Sequence, residues 1–387
     1  MRLDAARGLA SVAAAASVAT LAWDGDVLRL PLACAFYRLW ACAPNRAWSA
    51  AVAASYFLAA SRGLPLGVAT YYQTDIWPGL LLWLFASLTF ISVHALLWTG
   101  ETGWRIALRC CSAMIVMASP PLGVLGWAHP ITAAGALCPG AGWLGLLLTL
   151  VLSIQLSTRH WRPAAMALAT LWCSAFLISE VPGTPSGWRG VDLALGASLG
   201  RDLSLTRFAE LKTLVQKRRR DGDLVVVLPE SAFGFWTPSV EQYWRRALDG
   251  QRIIVLAGAA ILHPSGYDNA IVAVGGQNGI VYRQRMPVPG AMWQPWRGWL
   301  DLPGGATANL TGRPLARIAG RDVAPLVCYE LLLVWPVLQS IWFEPDILVA
   351  VGNGWWTRGT SIVAIQRASA VAWARLFGLP LVQSFNR

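Results

Sequence analysis

Seven apolar stretches fill most of the chain before residue 180, over 8–23, 28–42, 47–60, 79–98, 106–127, 131–156 and 164–178. A helix that crosses a bilayer needs about 20 mostly apolar residues, fewer where the membrane thins or flanking side chains snorkel. All seven runs are therefore candidate spans, the second and third being short. The chain does not read as an ordinary soluble protein, because 56% of its 387 residues are hydrophobic and only 13% are charged. After about residue 182 the pattern changes to short strands alternating with helices. The chain therefore divides into an all-α multi-span membrane domain over 1–182 and an α/β domain over 183–387.

The formal charge of +11 is almost all arginine, since Lys212 and Lys217 are the only lysines. Short cytoplasmic loops are enriched in Lys and Arg. If Arg2 and Arg7 lie inside, the other inside loops hold Arg46, then Arg105 with Arg109, then Arg159 with Arg162. The outside loops carry Asp24, Asp26 and Asp75, with Arg29 and Arg62 as exceptions. Seven spans then place the α/β domain outside the cytoplasm, in the periplasm of a Gram-negative cell, on a multi-pass inner-membrane protein. The first stretch also has the shape of a signal peptide, but further apolar spans follow at once. A transporter usually carries ionisable groups within its spans. Here few such groups, among them His94 and Arg109, lie inside, so anchoring is the expected role and membrane lipids the expected partners.

The run "KRRR" ending at Arg220 reads as a solvated helix end, and no direct nucleic-acid binding is expected. Six of the seven cysteines sit in the apolar half as small hydrophobes, and an odd count without paired spacing gives no disulfide framework. The four histidines are scattered, so no metal site is readable and no cofactor is expected.

In the second half, strands are expected at "DLVVVLPE", "RIIVLAGAAIL", "NAIVAVGG", "GIVYRQR", "DVAPLVCYE", "DILVAVGN" and "LPLVQSFN", with a short strand in 183–200. Helices are expected at "LTRFAELKTLVQKRRR", "SVEQYWRRALDG", "LLLVWPVLQSIWF" and "SIVAIQRASAVAWARLF". Continuous apolar strands between helices imply a buried sheet, with the site at the carboxyl ends of the strands. Three strand ends are polar. Glu230 closes the first, and a lone carboxylate there is often only a cap or a solvated turn. Cys328 precedes a helix, where the dipole favours a thiolate, though most single cysteines are inert and buried. Tyr282, Arg283, Gln284 and Arg285 form the third, either as a solvated strand end or as the lining of a site.

Taken together, "VVVLPES", "YRQRMPVPG", "VCYE" and "VGNGWWTRG" resemble the motif series of the nitrilase, or carbon–nitrogen hydrolase, superfamily. With a multi-span anchor in front they are most similar to its apolipoprotein N-acyltransferase branch. The short anchor and the phrasing "YRQRMP…MWQPW" are similar to a conjugal-transfer branch carried by plasmids. The resemblance implies an α-β-β-α sandwich with a Glu-Lys-Cys triad. It makes Glu230 the general base, Cys328 the nucleophile and Glu330 a supporting carboxylate, with an acyl thioester on Cys328 as the intermediate. Envelope or conjugation-apparatus proteins become expected partners. The triad lysine falls on Gln284, and no lysine follows Lys217, so Arg283 or Arg285 is left to supply positive charge; arginine cannot relay a proton as lysine can. The family's lid glutamate falls on Met292, and an aspartate of a later motif falls on Gly354. The domain is also expected to lack the family's last strands and closing membrane helix. Tyr329, Trp236, Trp293, Asn353 and Trp355 are the expected substrate-binding residues, the aromatic loops facing lipid. The expectation is a conjugation protein with a degenerate triad, the alternative being an active acyltransferase or amidase working through Cys328.

Overall fold

The computed structural model describes residues 2–177, 182–196 and 205–387. Its contacts form two units, one of Met1–Pro182 with Leu332–Trp335 and Gly359–Gly378, the other of Gly183–Leu331, Pro336–Arg358 and Leu379–Arg387.

The chain of the first unit runs through α1 (Arg2–Ala22), a 3₁₀ turn (Val27–Cys34), α2 (Ala35–Ala41), α3 (Arg46–Ala60), α4 (Leu64–Tyr72), α5 (Ile76–Leu97), α6 (Trp104–Ala118), α7 (Ala134–Leu137), α8 (Gly142–Leu156) and α9 (Trp161–Leu177). Among the described residues two helices, Leu3–Ala22 and Ile76–Leu97, are long and apolar enough to cross a membrane; α3 and α4, bent by 51°, add a third if taken as one broken span. The seven apolar runs therefore do not all become continuous helices, and the breaks have local causes. Pro31 removes a backbone donor from the run 28–42, which starts as a 3₁₀ turn capped by Asp26 accepting from Leu28 N. Helix α6 ends at Ala118 because Pro120 and Pro121 follow and the residue before a proline is driven out of the α region. The run 131–156 is interrupted after α7, where Gly140 and Gly142 take φ of 74° and 53°. The last run ends at Ile178, outside the described residues. Arg29, an exception to the charge pattern, is neutralised locally by Asp24 and Asp26.

The second half of the chain holds β1 (Trp188–Gly190), α10 (Leu205–Arg220), β2 (Val225–Val227), α11 (Pro238–Ala247), β3 (Ile254–His263), β4 (Gly266–Gly275), β5 (Gly279–Arg283), α12 (Trp296–Trp299), β6 (Ala316–Ile318), β7 (Arg321–Val327), α13 (Val334–Ile341), β8 (Ile347–Asn353), α14 (Ile362–Phe377) and β9 (Leu381–Asn386). Two mixed sheets form, ordered β1-β2-β3-β4-β5 and β6-β7-β8-β9. Strands β1, β2 and β3 are parallel, as are β7, β8 and β9, while the hairpin β3–β4 and strand β5 are antiparallel.

Alternation along the strands sorts the side chains into two cores. Val227, Leu256, Ile271 and Ala273 of the first sheet meet Val323, Val327, Val349 and Val382 of the second, so the sheets pack face to face. The other face of the first sheet, with Val226, Val255, Val272 and Val274, is covered by Phe208, Leu211 and Val215 of α10 and Val240 and Trp244 of α11. Thr237 starts α11 by accepting from Val240 N, with Pro238 in its first turn.

Helix α14 leaves the second unit and packs in the first. A Cβ on Gly135 of α7 would lie 1.7 Å from the carbonyl oxygen of Ala372, so only glycine permits this contact.

Candidate functional site

The carboxyl ends of β2, β5, β7 and β8 carry the polar groups of the site. Past β2, the segment holding Glu230 is laid along β3: Gly258 N donates to Pro229 O (3.1 Å), Phe233 N to Gly258 O (3.1 Å), and Ala260 N to Gly234 O (2.7 Å). Gly258 makes this possible, because a Cβ there would lie 2.4 Å from Glu230 Cα and 2.6 Å from Ser231 N. Gly258→Val is therefore expected to push the Glu230 segment off the strand and destabilise the second unit by about 1–3 kcal/mol, an overpacking cost. Thermal melts of the purified protein test this; an unchanged midpoint would show that the segment is not held by β3.

Cys328, the residue after β7, has φ of 51°, a left-handed conformation that side chains adopt at a cost of order 1–3 kcal/mol. The turn carries the thiol into the buried space beside Glu230, where the thiol helps hold the carboxylate. Burial pushes Glu230 up to about 7, opposed by the Asn269 amide, the Cys328 thiol and the backbone of Asn353. A carboxyl poised there can take a thiol proton near neutral pH.

Gln284 occupies the position between these groups. Its Nε2 donates to Val327 O (2.9 Å), just before Cys328, and its Oε1 accepts from Asn269 Nδ2 (2.7 Å). The same Asn269 nitrogen donates to Glu230 Oε1 (2.7 Å). These bonds fix both amide orientations, since a carbonyl and a carboxylate only accept and each amide must then present its nitrogen to them. Sequence reasoning missed Asn269. Its signal was an asparagine on the sandwich side of β4, in step with the buried Ile271 and Ala273, where a strand side chain with polar atoms needs partners.

Behind Cys328 lies a second buried network. Glu330 accepts from Tyr282 Oη (2.9 Å), Arg285 N (2.6 Å), Met286 N (3.2 Å) and Val327 N (2.8 Å), and so ties the strand end bearing Gln284 to the turn bearing the thiol. Burial raises Glu330 above the ordinary carboxylate range against the pull of Arg285 and these backbone donors. The Arg285 guanidinium is committed here, donating to Tyr282 Oη (2.9 Å), Gln339 Oε1 (2.8 Å) and Ser340 Oγ (2.8 Å). It braces Glu330 and does not stand in for the triad cation.

Arg283 departs from the expected site. Strand alternation turns it outward, where it is partly exposed and pairs with Asp268 at 2.7 Å. Trp236 stacks near Phe233, itself stacked on Trp244, in the helix-side core and not with the sandwich core that includes Cys328. Trp293 closes a turn by donating its backbone N–H to Val288 O. Tyr329 is buried next to Cys328 in sequence, and its phenol is pushed up by that burial. Asn353 ends β8, accepts from Asn386 Nδ2 (2.7 Å) and offers its backbone to Glu230; Trp355 follows in a 3₁₀ turn, half-buried. Among the described residues no three His, Cys, Asp or Glu side chains gather as metal ligands.

A buried carboxyl and a cysteine stand at facing strand ends of two packed mixed sheets, and the chain belongs to the carbon–nitrogen hydrolase family, whose model matches residues 58–375. At about half identity over nearly its whole length, it is similar to conjugal transfer proteins named TraB. It is 52% identical to the probable conjugal transfer protein TraB of Sinorhizobium fredii (strain NBRC 101917 / NGR234), covering 95% of each chain. It is 48% identical to the conjugal transfer protein TraB of Agrobacterium fabrum (strain C58 / ATCC 33970), covering 96% of this chain and 90% of that one. Among solved structures, an amidase from Nesterenkonia sp. overlays with a TM-score of 0.38 at 10% identity, over 51% of this chain and 74% of that chain, too slight a likeness to argue from.

Proposed function

We propose that this is an inner-membrane protein of conjugal plasmid transfer, its nitrilase-like domain periplasmic and derived from a lipoprotein N-acyltransferase, with a degenerate triad. The alternation of arginine-bearing and aspartate-bearing loops supports the multi-pass orientation, with the run 28–42 and helices α6, α8 and α9 as short spans, seven in all, that cross where lipid thins. One observation carries the degenerate triad: Gln284 supplies no cation, and one of the two hydrogens on its amide nitrogen already goes to Val327 O. A thioester-forming site needs a preorganised donor for the oxyanion, and losing one costs about 10²–10³ in rate in other enzymes. The domain then serves chiefly as a docking platform within the envelope. Conjugation frequency with Cys328→Ala, at equal protein level, is expected to match wild type; a large drop would overturn this reading.

A second reading rests on the strained turn at Cys328 and the carboxyl beside it. Glu230 takes the thiol proton, sulfur attacks an acyl ester carbonyl of a lipid, and the departing alcohol recovers the proton, leaving an acyl thioester on Cys328. An amine or water then releases the acyl group. Mass spectrometry of protein from membranes is expected to show an acylated Cys328 peptide under this reading, and a uniformly free thiol would sink it.

A further inference from the structure

We infer that Arg375 of α14 is the centre of an anion site in the helical unit, one that takes the phosphate-type oxyanion of an anionic phospholipid. Arg375 is only 6% exposed, yet its Nε and Nη2 are buried without a hydrogen-bond partner. Those two nitrogens form one edge of the guanidinium, the edge that grips two oxygens of a phosphate or carboxylate side by side. Among the described residues, the elements that α14 packs against, α7, α8 and the segments Val27–Cys34 and Pro130–Ala133, contain no Asp or Glu, and neither does α14 itself. The dipole at a helix C-terminus favours a nearby arginine only weakly and does not offset the cost of a buried cation with two open donors.

Lipid is favoured as the source by the neighbourhood. The Arg375 carbonyl accepts from Gly140 N at 2.7 Å, which seats the last turn of α14 against the turn that starts α8. Built Cβ atoms on Gly140 and Gly378 would meet nothing within 4 Å, so this junction has open space. From it runs an exposed apolar stripe, Leu144, Leu147, Leu148 and Val151, at the helical spacing of one face of α8. A headgroup on Arg375 with its acyl chains along that stripe satisfies both features. The site stands apart from the thiol chemistry and does not depend on it.

The test is thermal melting of the full-length protein in a phosphate-free neutral detergent, with phosphatidylglycerol, monoolein or inorganic phosphate added. Phosphatidylglycerol near saturation is expected to raise the wild-type midpoint by ~5 °C, whereas monoolein and millimolar phosphate leave it unchanged. Arg375→Met should lose the response, and Arg375→Lys, which keeps the charge without the fork, should lose most of it. Equal stabilisation by inorganic phosphate would make the ligand a free anion and overturn the lipid. No stabilisation by either, or the same response in Arg375→Met, overturns the site. If Arg375→Met fails to fold, native mass spectrometry of the wild type and Arg375→Lys decides: anionic lipid retained equally by both overturns the fork, and lipid retained by the wild type alone supports it.

Discussion

Replacing Glu330 with alanine is expected to destabilise the second unit by about 3–5 kcal/mol, the range found when one partner of a buried ion pair is removed. The magnitude follows from what the carboxylate holds. Without it, the Val327, Arg285 and Met286 backbone N–H groups and the Tyr282 hydroxyl lose an acceptor, and the buried Arg285 loses its counter-charge at 3.8 Å. Adding Arg285→Met should recover part of the loss, because the orphaned cation goes with it. Urea unfolding of the single and double variants measures both. A single-variant loss below about 1 kcal/mol would mean that Glu330 is solvated in practice and that the brace behind Cys328 is not structural.

The second large effect is electrostatic. Gln284→Lys should place a cation beside Glu230 and bring its carboxyl back towards the ordinary range. In the wild type the folded value near 7 lies above the unfolded value near 4.5. The fold therefore binds this proton more tightly than the unfolded chain does, and the stability linked to it is fully present below the unfolded value and lost as pH rises through the folded one. The full penalty above pH 7 is about 3 kcal/mol, from 1.36 kcal/mol for each pH unit of displacement. The variant should flatten this fall between pH 5 and 7. Infrared difference spectra at pH 6 should show a protonated carboxyl band in the wild type that is absent in Gln284→Lys and in the control Glu230→Gln. A band that persists in Gln284→Lys would show that the new ammonium does not reach the carboxylate.

The strands of the second unit were legible because they are unbroken apolar runs bounded by glycine, proline or charge. Strands β2, β5, β8 and β9 fall within segments read from the sequence, and β3, β4 and β7 overlap theirs while running one to three residues beyond them. The three-residue β6 left no signature, since "ARI" is too short to show a period. In the helical unit, apolar content located the runs but not their continuity, which single residues such as Pro31 and the Pro120–Pro121 pair decide. At the site, the sequence pointed to Glu230, Gln284 and Cys328, which the fold brings together. It could not divide the labour between the two arginines. Strand alternation sends Arg283 outward to Asp268, whereas Arg285, just past the strand, turns inward to Glu330. Asn269 stayed hidden because one polar residue in a strand reads as an edge until its register beside Arg283 and Gln284 is known.

Helix α14 gives the chain a threading that its linear order conceals. Between β8 and β9 the backbone leaves the second unit, contributes Gly359–Gly378 to the first, and returns to complete the sheet with Leu381–Asn386. With Leu332–Trp335 also belonging to the first unit, five covalent crossings join the units where a two-bead arrangement would have one. A protease cut between Pro182 and Gly183 would nick the molecule without freeing either half. A recombinant fragment starting at Gly183 would carry α14 stripped of the α7 glycine against which Ala372 is fitted. The two units are thus a single unit of inheritance and of handling, to be purified, swapped or truncated together.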